Sequence, residues 1–257
     1  MGKRLRILRR CFWVLALSAL GFAHFALLRL TGPFTLEERA AWLRRYTRLL
    51  LPRLGVAWEI LGEPPRTGLI VSNHLSYLDI LVFSAATGCS FVSKAEVRSW
   101  PLFGWFARLA GTIFVWRHSA GASARACGQL RECLRTGQPV AVFPEATTSD
   151  GERILPFRST MFQAAIDAGV PVTPAAVSYT LDDGSVRDEI CFWGDMRPLP
   201  HAMNLFSKRA IRCRLEFGAP LPSLGDRKQL AALAYRWVTA AVSAASAPEN
   251  AKHSTPA

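Results

Sequence analysis

The sequence lacks the cysteine pattern of a disulfide-stabilised or zinc-binding protein. Six of its 257 residues are cysteine, and none of them forms a Cys-x-x-Cys pair or a Cys/His cluster with zinc spacing. A domain of this length does not need disulfides, so the scattered thiols indicate a reducing compartment such as the cytosol. We expect each cysteine to be a small buried apolar side chain, and we predict no metal site.

Acidic residues are scarce, and nucleic-acid recognition motifs and the Gly-x-Ser-x-Gly turn of the α/β-hydrolases are missing. The chain has 31 Lys and Arg against 19 Asp and Glu, which gives a net charge of +12. A basic protein favours anionic partners such as nucleic acid, an acidic membrane surface or a phosphate-bearing substrate. Many of the basic residues lie beside an apolar N-terminal segment, which favours the membrane over nucleic acid.

The apolar run at residues 11–28 predicts a membrane anchor, which we assign to residues 1–30. At about 18 residues, the run is at the short end for a membrane span. Five basic residues precede it between Lys3 and Arg10. A cleaved signal peptide is the alternative, but Arg29 follows the run where a cleavage site needs small residues.

Residues 31–55 predict a basic amphipathic helix that lies in the membrane interface. Apolar side chains recur there at helical spacing, and five arginines surround them: Arg39, Arg44, Arg45, Arg48 and Arg53. The alternative is a helix packed on the following domain with a solvated basic face. Basic residues flank the anchor on both sides, so charge gives no clear orientation. A half-inserted hairpin of both segments would keep the following domain on the cytoplasmic side, as the free thiols suggest.

Apolar β-branched runs alternate with helical patterns over residues 56–245, which predicts one α/β domain with a mostly parallel sheet flanked by helices. The predicted strands are Val56–Leu61, Gly68–Ser72, Ser90–Ser93, Thr112–Trp116, Val140–Phe143, Val172–Ser178, Glu189–Trp193 and Ile211–Phe217. The predicted helices are Ser76–Thr87, Leu102–Ala110, Ser119–Thr136, Ser159–Ala168 and Asp226–Ala244. The polar tail at 246–257 is expected to be disordered.

His74 and Asp79 follow the predicted strand Gly68–Ser72, at the sheet edge where open α/β sheets bind ligands. Ser76 is a good N-cap, which places Asp79 at the third helical position, as in a capping box. An aspartate near a helix N-terminus stays ionised and can orient an imidazole and stabilise its protonated form. This spacing alone would equally fit a helix cap beside an ordinary loop histidine.

Three further blocks follow other predicted strands or helices: residues 111–117, 143–151 and 169–174. With His74 and Asp79, their order and spacing resemble the glycerolipid acyltransferase family, typified by 1-acyl-glycerol-3-phosphate acyltransferases. The resemblance covers roughly residues 60–179. Its most specific parts are His-x-x-x-x-Asp at 74–79 and Phe-Pro-Glu at 143–145.

The resemblance implies that His74 and Asp79 are catalytic and that Arg117 binds the acceptor phosphate. It implies five further substrate-binding residues: Lys94, Glu145, Thr147, Thr148 and Pro174. The expected reaction is direct O-acyl transfer to a lysolipid acceptor from acyl-CoA or acyl carrier protein, with no cofactor and no metal. His74 would be the general base, and backbone amides at the start of the Ser76 helix would hold the oxyanion.

The expected partners are membrane lipids and the two substrates, with no nucleic acid. The expected location is the inner cell membrane, with the catalytic domain on the cytoplasmic side.

Two residues depart from the family pattern, in which Phe-Pro-Glu is followed by Gly-Thr-Arg-Ser. Ala146 replaces the glycine, and Thr148 replaces the arginine and its bidentate phosphate contact. Arg153 and Arg158 are candidate replacements for the lost arginine. The Thr-Thr pair resembles acyltransferases that use other lysolipids, including lyso-ornithine lipid. We expect 1-acyl-glycerol-3-phosphate as the acceptor, with lyso-ornithine lipid or another lysolipid as the alternative, and a lipid hydrolase as the rival activity.

Overall fold

The computed structural model describes residues 2–30, 32–116, 120–222 and 225–246. Two N-terminal helices, α1 (Lys3–Leu30) and α2 (Leu36–Arg53), precede an α/β body. The strands of the body are β1 (Val56–Leu61), β2 (Leu69–Ser72), β3 (Ser90–Lys94), β4 (Ile113–Val115), β5 (Val140–Val142), β6 (Val172–Leu181) and β7 (Ile211–Phe217). Its helices are α3 (Tyr77–Thr87), α4 (Phe103–Leu109), α5 (Ala120–Arg135), α6 (Phe162–Ala168), α7 (Val186–Glu189), α8 (Pro198–Leu205) and α9 (Arg227–Ser246).

In the described residues, the strands form one sheet in the order β1-β7-β6-β2-β5-β3-β4. β6 and β7 run antiparallel, whereas the other neighbouring pairs are parallel. Leu69, Ile70 and Val71 of the central strand β2 are fully buried, as expected of a parallel strand covered by helices on both faces. The predicted α/β fold with a mostly parallel sheet is confirmed.

The predicted strand Glu189–Trp193 is wrong. Helix α7 ends at Glu189, and the residues after it have no regular structure. Ile190 and Cys191 are nonetheless fully buried in the same core cluster as Leu75. A buried loop therefore has the same apolar pattern as a buried strand, and the pattern alone does not distinguish them. Helices α7 and α8 were not predicted, and the predicted helix Ser159–Ala168 begins with a 3-10 turn at Ser159–Met161.

Helix α1 packs along α2 instead of standing free. The Trp42 indole N–H donates to the carbonyl of Gly21 at 3.1 Å, and the Tyr46 hydroxyl donates to the carbonyl of Leu20 at 3.3 Å. The other side of α1 exposes large apolar side chains: Leu5, Leu8, Phe12, Leu15, Leu20, Leu27 and Leu30. The helix is long and apolar enough to cross a membrane, and this exposed side indicates membrane association.

Arg10 joins α1 to the body. Its side chain is 1% exposed, and it donates to the carbonyls of Phe206, Lys208 and Arg209 at 3.1, 2.7 and 3.3 Å. These carbonyls lie just beyond the C-terminal end of α8, where a positive charge is favourable. Gly55 has a positive φ of 74° and touches the Arg10 guanidinium so closely that a Cβ there would collide with it.

Helix α2 is packed on the α/β body, as in the alternative interpretation of residues 31–55. Arg44 and Arg48 donate to the carbonyl of Ala85 in the last turn of α3, at 3.4 and 2.9 Å. Arg53 stacks over the Trp13 ring at 4.5 Å. These three arginines therefore have partners within the protein, and contact of α2 with a membrane stays a prediction.

Candidate active site

His74 and Asp79 lie in direct contact, because the chain turns between them before α3 begins. Nδ1 of His74 is 2.7 Å from Oδ2 of Asp79. A carboxylate accepts hydrogen bonds, so in the neutral imidazole Nδ1 is the donor to Asp79 and Nε2 is the nitrogen with the lone pair. The His74 side chain is 18% exposed and Asp79 is fully buried. The His74 ring stacks on Phe143, with centroids 3.9 Å apart.

Ser76 is the N-cap of α3, as predicted, and the carboxylate of Asp79 folds back over this helix start. Its Oδ2 accepts from the backbone N–H groups of Leu75 and Ser76 at 2.8 and 3.0 Å. These two amides are therefore occupied, which removes them from the set expected to hold an oxyanion. The Tyr179 hydroxyl donates to Oδ1 of Asp79 at 2.7 Å, from the opposite strand β6. The buried carboxylate thus has donors on both oxygens.

Glu145 supports the same site from the loop after β5. Its two oxygens accept from the backbone N–H groups of His74 and Leu155, each at 2.7 Å. The residue is 4% exposed, and burial raises the pKa of its carboxyl to about 7, with a smaller upward contribution from the charge of Asp79 and a lowering one from the two N–H bonds. Glu145 therefore fixes the backbone of His74, whereas its predicted contact with substrate stays a prediction.

An apolar cavity of about 420 Å³ reaches His74. Its wall includes Val14 and Leu17 of α1, Leu43 and Leu50 of α2, and side chains of α3, β3 and the loop after β5. The two N-terminal helices therefore form part of the site and not only an anchor. A cavity with this mostly apolar lining suits a hydrocarbon chain.

The cavity wall contains three of the predicted substrate-binding residues: Lys94, Thr147 and Thr148. It also contains Arg158, one of the two candidate replacements for the lost arginine. Pro174 is buried within β6, beside Val71 of β2, and is not among the described residues that line the cavity. Arg117 lies outside the described residues, so its predicted role stays a prediction.

The loop with the two family departures is tied to its neighbours by hydrogen bonds. The Thr148 hydroxyl donates to the carbonyl of Phe192, whose own N–H donates to the carbonyl of Leu75 at 2.8 Å. The N–H of Ser149 donates to the carbonyl of His74 at 2.9 Å. Ala146 adopts a φ of 65°, a conformation that glycine would adopt without strain. The Thr148 hydroxyl is thus bonded to the protein backbone. The arginine found at this position in the family pattern would instead offer a positive charge to the acceptor.

Sequence reasoning missed two residues that hold His74 and Asp79 in place. Tyr179 binds Asp79, and the side chain of Asn73 forms a reciprocal pair with the backbone of Val177, both bonds being 2.9 Å. Asn73 directly precedes His74, so this pair fixes the end of β2 against β6. The only signal in the sequence was a polar residue at a strand end and a tyrosine in an apolar strand, and neither specifies its partner.

Comparisons with known proteins give a consistent result. The sequence model of the family described as Acyltransferase matches residues 62–178. A Pseudomonas aeruginosa protein described as a lyso-ornithine lipid O-acyltransferase is 37% identical over 251 residues, which cover 95% of this chain and 96% of that protein. A Neisseria meningitidis protein described as a 1-acyl-sn-glycerol-3-phosphate acyltransferase is 42% identical over 185 residues, covering 70% of this chain and 72% of that protein.

One solved structure shares the fold. The crystal structure of a 1-acyl-sn-glycerophosphate acyltransferase from Thermotoga maritima superimposes with a TM-score of 0.70, and the match covers 96% of this chain and 98% of that one. The two sequences are 20% identical, so this likeness concerns the fold alone.

Proposed function

The chain belongs to the lysolipid acyltransferase family, and from that premise we propose that it transfers a fatty acyl group from a thioester to the free hydroxyl of a lysolipid. The observation that carries this proposal is the His74–Asp79 pair, 2.7 Å apart, in the wall of an apolar cavity. The pair supplies a base for the hydroxyl, and the cavity supplies room for a hydrocarbon chain.

The direction of proton transfer follows from which nitrogen of His74 carries the hydrogen. Its Nδ1–H is held by Asp79, so Nε2 accepts the proton of the acceptor hydroxyl as the oxygen attacks the thioester carbonyl. A C–O bond forms, the tetrahedral intermediate collapses, and the C–S bond breaks. The imidazolium then returns its proton to the departing thiolate, and Asp79 stabilises the positive charge of the ring in between.

We place the acyl chain in the cavity between the N-terminal helices and the sheet. Val14, Leu17, Leu43 and Leu50 supply apolar wall there, and Lys94 and Arg158 supply cationic groups for an anionic part of either substrate. Acyl-CoA and acyl carrier protein both present a phosphopantetheine thioester, so either is a suitable donor for this cavity.

For the acceptor we propose lyso-ornithine lipid, which reverses the order expected from the sequence. Thr148 replaces a family arginine, and its hydroxyl is bonded to the carbonyl of Phe192, so this position offers no cation to a phosphate. The relative from Pseudomonas aeruginosa, which is matched almost end to end, supports the same choice. The second candidate acceptor is 1-acyl-glycerol-3-phosphate, which the 42% identity to the Neisseria meningitidis relative favours.

We propose that the enzyme works at the cytoplasmic face of the inner membrane. The exposed apolar side of α1 supports attachment to a bilayer, and all six cysteines are free, which suits a reducing compartment. The acceptor and the product are both membrane lipids, so attachment of this kind gives the site access to them.

The test is an assay of the purified full-length enzyme with a labelled acyl thioester and a panel of lysolipids. We expect labelled diacyl lipid to form only when an acceptor is present, and His74→Ala to lower turnover by about 10²- to 10⁴-fold while the protein stays folded. Free fatty acid released at the same rate without an acceptor would instead indicate a hydrolase. A folded His74→Ala enzyme with near-normal turnover would contradict the proposed base.

A further inference from the structure

The carboxylate of Asp79 uses its two oxygens for different partners. Oδ2 accepts from the imidazole of His74 and from the amides of Leu75 and Ser76. Oδ1 accepts from the Tyr179 hydroxyl at 2.7 Å. Tyr179 is 6% exposed and lies on β6, 100 residues further along the chain. The tyrosine therefore contacts the pair through Oδ1 of Asp79, whereas the imidazole is bonded to Oδ2.

We propose that Tyr179 is a positioning residue that tunes the basicity of His74 through Asp79. This inference rests on the proposed function, in which His74 removes the acceptor proton. A phenol that donates to a carboxylate withdraws negative charge from it, so Asp79 stabilises the imidazolium less strongly than an unbonded carboxylate would. Loss of the phenol should therefore move the acid limb of the turnover profile to higher pH.

Tyr179 itself stays neutral and keeps its donor hydrogen. Burial, followed by the negative charge of Asp79, raises the pKa of Tyr179 well above its ordinary value. The hydroxyl therefore donates to Asp79 throughout the pH range in which an enzyme works.

Three titratable groups besides Tyr179 interact with the charge of Asp79, and Lys94 and Arg158 line the cavity that reaches His74. Cys213 lies opposite Tyr179 on β7, Cys191 lies in the segment after α7, and Glu145 lies after β5. Burial raises the pKa of both thiols, that of Cys191 to about 12, so both are uncharged near neutrality. Glu145, with a pKa of about 7, titrates near neutrality in its own right. It is present in all the variants compared below.

The first experiment compares the pH dependence of kcat for the wild type, Tyr179→Phe and Tyr235→Phe. Each enzyme is purified at full length and assayed with palmitoyl-CoA and whichever of the two proposed acceptors the wild type uses. Tyr179→Phe should move the acid limb of the profile up by about 0.5–1 pH unit, which is a loss of about 3- to 10-fold in kcat on that limb. The KM for palmitoyl-CoA should stay unchanged.

Tyr235→Phe is the matched control. The Tyr235 hydroxyl donates to the carbonyl of Ile154 at 3.3 Å and does not touch the catalytic pair. This variant loses a tyrosine hydroxyl from another part of the protein, so the pH dependence of its kcat should coincide with that of the wild type.

A second variant tests the role of Tyr179 if Tyr179→Phe folds poorly. Site-specific 3,5-difluorotyrosine at position 179 keeps the ring and donates more strongly, so it should move the acid limb in the opposite direction, to lower pH. An acid limb that is the same in the wild type and the fluorinated enzyme would overturn the role of Tyr179. A wild type that transfers no acyl group from either palmitoyl-CoA or palmitoyl-acyl carrier protein would overturn the proposed function instead, so the two failures are distinguishable.

Discussion

At the scale of single residues, the site is held by buried carboxylates that bind backbone N–H groups. Glu145 binds His74 and Leu155, and Asp79 binds Leu75 and Ser76. A carboxylate that accepts several such bonds fixes the path of the chain more firmly than an apolar contact does, because each bond has a direction. The position of the His74 backbone therefore depends on Glu145.

Glu145 also makes the stability of the fold depend on pH. Its pKa is about 7 in the folded protein, against 4.5 for an ordinary glutamate, so the folded state binds more protons between these values. The free energy of unfolding should then fall as pH rises from about 4.5 to about 7, by about 3 kcal/mol at most. Denaturant unfolding at pH 5 and pH 8 measures this fall. Glu145→Gln should lose it and the exposed Glu63→Gln should keep it, and equal slopes in both variants would contradict the assignment.

Thr148 is the residue at which we expect acceptor preference to change. Thr148→Arg should improve use of 1-acyl-glycerol-3-phosphate and impair use of lyso-ornithine lipid, because it adds a cation for phosphate and removes the bond to Phe192. Charge-assisted hydrogen bonds contribute about 1.5–3 kcal/mol each, so a change of about tenfold or more in the ratio of kcat/KM is expected. Thr148→Val is the control, since it removes the hydroxyl without adding charge. An unchanged ratio in Thr148→Arg would argue against this position as a determinant.

The residues predicted from the sequence and those missed differ in how far their partners lie along the chain. His74 and Asp79 were predicted as neighbours because they lie five residues apart across a helix start, and as a catalytic pair because the blocks around them resemble the acyltransferase family. Tyr179 and Asn73 were not, because their partners lie about a hundred residues away and depend on the order of strands in the sheet. Spacing within one segment is visible in a sequence, whereas the neighbours of a strand are decided by the packing of the whole sheet.

At the scale of secondary structure elements, two arginines of α1 make the contact with the end of α8. Arg10 is buried and donates to backbone carbonyls there, and Arg6 adds a bond of 2.8 Å to the carbonyl of Ser207. From the sequence, these arginines were interpreted as a basic segment that precedes a membrane anchor. A basic residue before an apolar run suggests a membrane flank, and only the structure shows that α8 ends beside it.

Arg10→Ala should therefore loosen α1 from the body. Removing the guanidinium takes away the donor for the carbonyls of Phe206 and Lys208, which should lower the free energy of unfolding by about 2–4 kcal/mol. Hydrogen exchange in α1 and in residues 205–209 should become faster. The neighbouring Arg9 is exposed, so Arg9→Ala is the control and should leave both measurements unchanged. Equal effects of Arg10→Ala and Arg9→Ala would show that the lost positive charge, and not the lost bonds to the carbonyls, causes the change.

At the scale of the whole molecule, the exposed side of α1 is the surface that we expect to meet the bilayer. Leu8→Asn combined with Leu15→Asn should weaken binding to phospholipid vesicles by about tenfold or more, because each leucine side chain contributes about 1.5–3 kcal/mol when fully buried. Both residues are exposed, so the fold should persist. Ala232→Asn with Ala240→Asn, on the exposed side of α9, is the matched control in a sedimentation assay. Vesicle binding that is equal in both double variants would place the membrane surface elsewhere.

The wall that α1 contributes to the cavity has a consequence for producing the protein. A version cut after residue 30 would lose Val14 and Leu17, and with them part of the surface that encloses the hydrocarbon chain. A detergent-free enzyme therefore has to keep α1 and replace only its outward side chains, with helix-favouring residues such as Glu, Lys and Gln. The side chains of α1 that line the cavity and those that are exposed are different residues, so the exposed ones can be replaced without removing the cavity wall.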